Sequence, residues 1–197
     1  MHYRERRGLV TNYIKYDISN QYFPDPILEH LTELELALKK FATKEVYDDY
    51  EKDVEIGDEN PYSFWSPNSR HALIPDSELM NLAIPIKRCF PSLLFRWSGN
   101  FVYGPGDMQS EHTNANDSTN TMYITYATGK SKFSYRHSID KEFIDTYDVV
   151  DGITLRSFKT GTDPYVFHKV SCESGYRVSI GIRYIREEEW KKNQIGS

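Results

Sequence analysis

Two histidines and an arginine carry the chemistry that this sequence allows. His112 and Asn114 close the run Phe101-Val-Tyr-Gly-Pro-Gly-Asp-Met-Gln-Ser-Glu-His-Thr-Asn. His168 stands in Tyr165-Val-Phe-His-Lys-Val, and Arg177 follows nine positions later. Imidazole nitrogen suits iron, zinc, copper and nickel, and two histidines with one oxygen ligand leave positions open for substrate and O2. A histidine taken singly is more often a surface or core residue, so the set points to a metal and no one member does. Arg177 adds an anion site. Side chains alternate along an extended segment. Residues 176–184 therefore put Tyr176, Val178, Ile180, Ile182 and Tyr184 on one face, and Arg177, Ser179, Gly181 and Arg183 on the other. An arginine with a serine and a glycine beside it suits a planar carboxylate held through the guanidinium fork. The plain alternative is an ordinary arginine on a solvent-facing strand.

Those residues need strands to bring them together. Segments 93–103, 121–127, 132–136, 153–158, 165–170 and 176–185 read as strands, separated by Gly, Asn, Asp and Ser turns. Residues 143–149 are ambiguous, and 104–111 read as a turn. Upstream, 8–18 reads as a strand. Asp25-Pro26 reads as a helix start, with the stripe Ile27, Leu31, Leu34, Leu38, Phe41 behind it. Residues 44–75 read as a long acidic loop with short pieces of structure, tethered by Phe64 and Trp65. A short helix is expected over 76–83, and a polar tail from 187. The pattern predicts one α+β, mainly β, domain over 1–197. Residues 93–185 form a double-stranded β-helix, a cupin-like jelly-roll barrel, and 1–92 supply helical and loop support.

The motif order resembles the 2-oxoglutarate/Fe(II)-dependent dioxygenase superfamily, and its prolyl-hydroxylase-like branch in particular. Tyr103, a Gly-containing turn, His112-Thr-Asn114, a distal His168 and then Arg177-Val-Ser179 follow that family's order over residues 93–185. The resemblance implies that His112 and His168 bind Fe(II). It implies that Arg177 clamps the distal carboxylate of the cosubstrate 2-oxoglutarate, helped by Ser179 and Tyr103. The reaction implied is hydroxylation of a peptide side chain or a small metabolite, with 2-oxoglutarate converted to succinate and CO2. The family's carboxylate ligand falls on Asn114, whose amide is neutral. Either Asn114 ligates through its oxygen, or Asp117 supplies the carboxylate, or the barrel is degenerate and binds a metal or carboxylate without catalysis. A cupin-like isomerase and a zinc hydrolase are further alternatives.

Composition narrows the partners. With 24 basic and 29 acidic residues the formal net charge is −5, which gives no basic footprint for nucleic acid. Cys89 and Cys172 are the two cysteines, too few for a disulfide framework or a CxxC zinc pattern, and a cytoplasmic setting is expected. No apolar run has the length of a membrane span. The chain lacks a Walker loop and a Gly-x-Ser-x-Gly elbow.

Overall fold

The structure is a computed structural model, and it describes residues 11–19, 23–55, 69–114 and 118–195. Its strands are β1 (Tyr13–Asp17), β2 (Lys52–Glu55), β3 (Ser69–Leu73), β4 (Leu93–Tyr103), β5 (Met108–His112), β6 (Asn120–Ala127), β7 (Ser131–His137), β8 (Ile144–Tyr147), β9 (Gly152–Lys159), β10 (Val166–Cys172) and β11 (Arg177–Arg186). They form one sheet in the order β1-β9-β6-β11-β4-β3-β5-β10-β7-β8, with β2 on β3. The halves β9-β6-β11-β4 and β5-β10-β7-β8 each contain four strands, paired antiparallel throughout. From β4 to β11 the chain crosses between these halves at every connection except β7 to β8. That winding is a double-stranded β-helix, the jelly-roll barrel of cupins.

Each half turns one face inward. Tyr103, Tyr123 and Phe158 from one half meet Phe133, Val166, Val170 and Cys172 from the other in a single interior cluster. Their alternates on β6, β9 and β11, such as Ile124, Leu155 and Val178, pack outward against the helices α1 (Leu31–Lys39) and α3 (Asp76–Cys89). Period-two alternation thus splits the molecule into an aromatic, partly charged lumen and an aliphatic helix-covered face.

Several local expectations change. Helix α1 starts at Leu31, after a 3-10 turn at Leu28–His30, and Asp25 does not cap it. Lys15 Nζ takes the Asp25 carboxylate at 2.8 Å, and the Ile27 N–H donates to the Cys89 carbonyl at 2.9 Å. Leu31, Leu34 and Leu38 are buried as the stripe requires, whereas Ile27 is exposed. Helix α3 runs on to Cys89, through Pro85. Pro85 cannot donate its backbone hydrogen bond, but it lies on the same buried stripe as Leu79, Leu82, Ile86 and Cys89, and burial outweighs the lost bond. The stretch 44–75 holds α2 (Lys44–Asp49) as well as β2 and β3, and β3 closes the barrel between β4 and β5. Residues 187–195 form a helix, α4 (Glu187–Ile195), in place of a polar tail. Three glutamates in its first turn suit the positive end of the helix dipole, and Glu187 pairs with Lys191 at 2.7 Å. Residues 8–10, Phe64 and Trp65 lie outside the described residues. No helix among the described residues is long and apolar enough to cross a membrane.

Candidate metal and anion site

The turn before His112 is built from its own sequence. Gly106 adopts φ +84°, a left-handed value natural to glycine, and Asp107 Oδ2 accepts the Gly104 N–H at 2.8 Å. The Gly106 N–H donates to the Cys172 carbonyl at 2.8 Å, and the Cys172 N–H to the Asp107 carbonyl at 2.9 Å. These bonds lay Met108–His112 along β10 as a strand, so the second half of the stretch read as a turn is β5. The register then sets His112 directly opposite His168. Residues paired this way share a face, and the two ring centroids are 4.1 Å apart.

Both imidazoles are buried in the lumen. His112 Nδ1 lies 2.9 Å from the Ser110 carbonyl, which can only accept, so Nδ1 carries the proton and Nε2 keeps its lone pair. Burial pushes His112 down to about 4, opposed by that hydrogen bond and reinforced by His71. His168 stacks on Phe133 at 5.2 Å and is pushed well below the ordinary histidine range, by burial first and by His112 second. Neither His168 ring nitrogen makes a hydrogen bond of normal geometry, although the Val166 backbone lies near enough to oppose part of the downward shift. Buried orphan nitrogens of this kind call for an unseen partner, and neutral imidazole is the form that ligates a metal.

The oxygen donor beside His112 in sequence is an amide. Asn114 is buried, and its Nδ2 lies 3.5 Å from the Tyr123 hydroxyl. Among the described residues, no group of three or more His, Cys, Asp or Glu is placed to hold a metal ion. Two neutral imidazoles and one amide fit a mononuclear metal with open positions. Asp117 lies outside the described residues.

Arg177, Ser179 and Tyr103 occupy the same inner face, with Arg177 opposite Tyr103 and Ser179 opposite Thr125 in register. All three are buried. The Tyr103 ring lies 5.2 Å from the Arg177 guanidinium, and its hydroxyl donates to Gln109 Oε1 at 3.1 Å. Gly181, on the same face, leaves no room for a ligand, because a Cβ there would meet the Gly99 carbonyl at 2.8 Å and Tyr123 at 2.9 Å.

Sequence reasoning missed Arg177's neighbours. Its Nε donates to Asp148 Oδ2 at 2.8 Å and its Nη2 to Thr125 Oγ1 at 3.3 Å, while Nη1 is buried with no hydrogen-bond partner. Asp148 also accepts from Ser131 Oγ at 2.6 Å and from Arg156 Nη1 at 2.6 Å. Burial alone would raise the Asp148 carboxyl, but Arg156 and Arg177 outweigh it and hold the group well below the usual carboxylate range. Arg177 is raised, because Asp148 and Tyr103 overcome the burial that opposes its charge. Arg156 is lowered, chiefly by burial. The apolar strand around Arg156, Ile-Thr-Leu-Arg-Ser-Phe, was the available signal, since an arginine inside such a run needs a buried partner. His71 was missed as well. It is buried on β3, 4.2 Å from Phe101 and 5.6 Å from Tyr103 between ring centroids.

The buried histidines give the fold a dependence on acid. An unfolded histidine titrates near 6.5 and His112 near 4. Between those values the unfolded chain binds protons that the folded chain refuses, so stability present above the upper value is lost as pH falls. His112 accounts for about 3 kcal/mol of this at most, and His168 acts in the same direction. Asp148 keeps its charge through that window and loses its contribution only at lower pH. The melting temperature of metal-free protein is therefore expected to fall steadily from about pH 6.5 to about pH 4. A flat profile across that window would contradict the burial of both rings.

No protein-family model matches the chain. No curated protein matches it either. Among solved structures it is similar to a Pseudomonas putida prolyl-4-hydroxylase at 13% identity and TM-score 0.41, over 81% of this chain and 87% of that one. It is similar to a 2OG-Fe(II) oxygenase family oxidoreductase from Burkholderia pseudomallei at 9% identity and TM-score 0.42, over 88% and 96%. A third similar structure is the Drosophila melanogaster CENP-C cupin domain, at 13% identity and TM-score 0.37, over 77% and 96%. At these identities the fold assignment rests on this chain's own strand order.

Proposed function

We propose that the lumen is the active site of a 2-oxoglutarate- and Fe(II)-dependent oxygenase that hydroxylates a peptide side chain or a small metabolite. The observation that carries this reading is the buried Arg177, with one guanidinium nitrogen unsatisfied, in the same lumen as an adjacent pair of neutral histidines on the opposite half of the barrel. His112 and His168 would hold the metal, with Asn114 or Asp117 as the oxygen donor. Iron held there together with 2-oxoglutarate would supply the O2 activation, with succinate, CO2 and a hydroxylated substrate as products. The residues of the chain do the rest. Arg177 anchors the far carboxylate, the Tyr103 ring supports the guanidinium, and the aromatic wall of Tyr123, Phe133 and Phe158 keeps water from the reacting centre. The test is to load purified protein anaerobically with Fe(II), quantify bound iron, then admit O2 and measure succinate. Iron at about one per chain with 2-oxoglutarate-dependent succinate is expected. His112→Ala or His168→Ala should remove the iron with the barrel still folded. Protein that retains iron without either histidine would overturn the site.

A second reading has its own support. Asn114 offers no charge to a metal, and Asp148 already occupies one edge of Arg177. A barrel that binds a carboxylate without turnover fits both facts. The two readings part on succinate, which only an oxygenase releases, while the third ligand is decided at Asn114. If it faces the metal, Asn114→Asp should tighten Fe(II) binding by about tenfold or more, because a full charge replaces a dipole. The same change lets the Tyr123 hydroxyl donate where it now accepts. Asp117→Asn should then be silent. The reverse pattern moves the third ligand to Asp117, and two silent changes remove both from the coordination shell.

A further inference from the structure

Two guanidiniums, Arg156 and Arg177, share one carboxylate, Asp148, in the interior of the barrel, and all three side chains are fully buried. We propose that Arg156 is a specificity-determining residue: by taking up Asp148 it leaves Arg177 with a surplus positive charge, and so sets the lumen to accept one carboxylate. This rests on the reading of Arg177 as the anchor for an anionic ligand. In Arg156, by contrast, each of the three nitrogens already has a protein partner. Its Nε donates to Thr146 Oγ1 at 2.8 Å, its Nη1 to Asp148 Oδ1 at 2.6 Å and its Nη2 to the Thr146 carbonyl at 2.9 Å. Its guanidinium is enclosed between the rings of Tyr16 at 5.2 Å and Phe133 at 5.3 Å. Arg177 is different, because its Nη1 is buried and unsatisfied.

The charges explain the arrangement. With Arg177 and Asp148 alone the pair would be neutral and closed to anions. With Arg156 added the cluster carries one net positive charge in a setting of low dielectric, where an unbalanced charge is costly until a counter-ion arrives. A carboxylate balances it. A phosphate dianion concentrates two charges at that one point, whereas each end of a dicarboxylate brings one. Arg156 is therefore felt by a ligand it does not touch.

The test uses calorimetry with glutarate, which has the anchoring carboxylate but no keto acid end for a metal, alongside 2-oxoglutarate and inorganic phosphate. Arg156→Met should weaken glutarate binding by about tenfold or more. Arg156→Lys keeps the charge while losing the Thr146 bonds and should stay within about threefold of the parent. The double change Asp148→Asn, Arg156→Met restores one net positive charge and should also return to within about threefold. A merely structural role for Arg156 predicts instead that binding follows the melting temperature, with the double variant weakest. Phosphate should bind more weakly than glutarate to the parent. Arg156→Met protein that binds glutarate as well as the parent would overturn the inference alone. If Arg156→Met does not fold, the Lys and double variants decide, and loss of binding in either overturns it. A parent protein that binds neither glutarate nor 2-oxoglutarate overturns both this inference and the reading beneath it.

Discussion

Replacing Asp148 with alanine is expected to cost the fold about 3–5 kcal/mol, the range for removing one partner of a buried ion pair. The cost is not the loss of an attraction alone. Without Asp148, Arg156 and Arg177 remain as two like charges enclosed by the barrel, and Ser131 loses its acceptor. Urea unfolding of parent and variant measures the loss. A change below about 1 kcal/mol, the level of an exposed ion pair, would mean that water reaches the cluster and that its burial has been overstated. Asp148→Asn should fall between the two, since an amide keeps a hydrogen-bond acceptor for Arg156 but not the charge.

Arg177→Ala should have the largest effect on the ligand. A charge-assisted hydrogen bond contributes on the order of 1.5–3 kcal/mol. Its loss should weaken 2-oxoglutarate binding by roughly tenfold to a hundredfold, at about 1.4 kcal/mol per tenfold. The fold should survive, because Asp148 keeps Arg156 and Ser131. Metal content should stay unchanged, because Arg177 is no ligand. Arg177→Lys should lose less, since a lysine keeps the charge but cannot present a fork. Succinate release measured against 2-oxoglutarate concentration, with iron quantified in parallel, gives the result. An alanine variant that binds 2-oxoglutarate as well as the parent would remove the ground for calling the lumen an oxygenase site.

The two effects are linked. Arg177 meets the ligand through the nitrogen that Asp148 does not use, so the carboxylate that secures the arginine also restricts how an anion can approach it. Phe133 joins this cluster to the histidines, because Arg156 lies 5.3 Å from its ring on one side and His168 stacks on it at 5.2 Å. A change at Phe133 is therefore felt by both parts of the site.

The sequence by itself determined six of the eight barrel strands and the face of each. Alternation is a local property of an extended chain, so Arg177 and Ser179 could be put on the face opposite Val178 and Ile180 before any partner strand was known. The eight barrel strands were legible for the same reason except β5 and β8. Those two are short, lack alternating apolar residues and are held by their neighbours, β5 through the Gly106 and Cys172 backbone bonds. Helix α3 ran past Pro85 because burial of its stripe is a tertiary gain that local propensity does not contain. What only the tertiary structure decided is the company each buried charge keeps. Asp148 lies 29 residues from Arg177 in sequence and hydrogen-bonds to it, because the winding of the barrel brings the end of β8 beneath the start of β11. No periodicity encodes that meeting. The position opposite His112 was likewise open in the sequence, and the register of β5 on β10 filled it with His168, since one residue of slip would have turned one of the two rings away from the lumen.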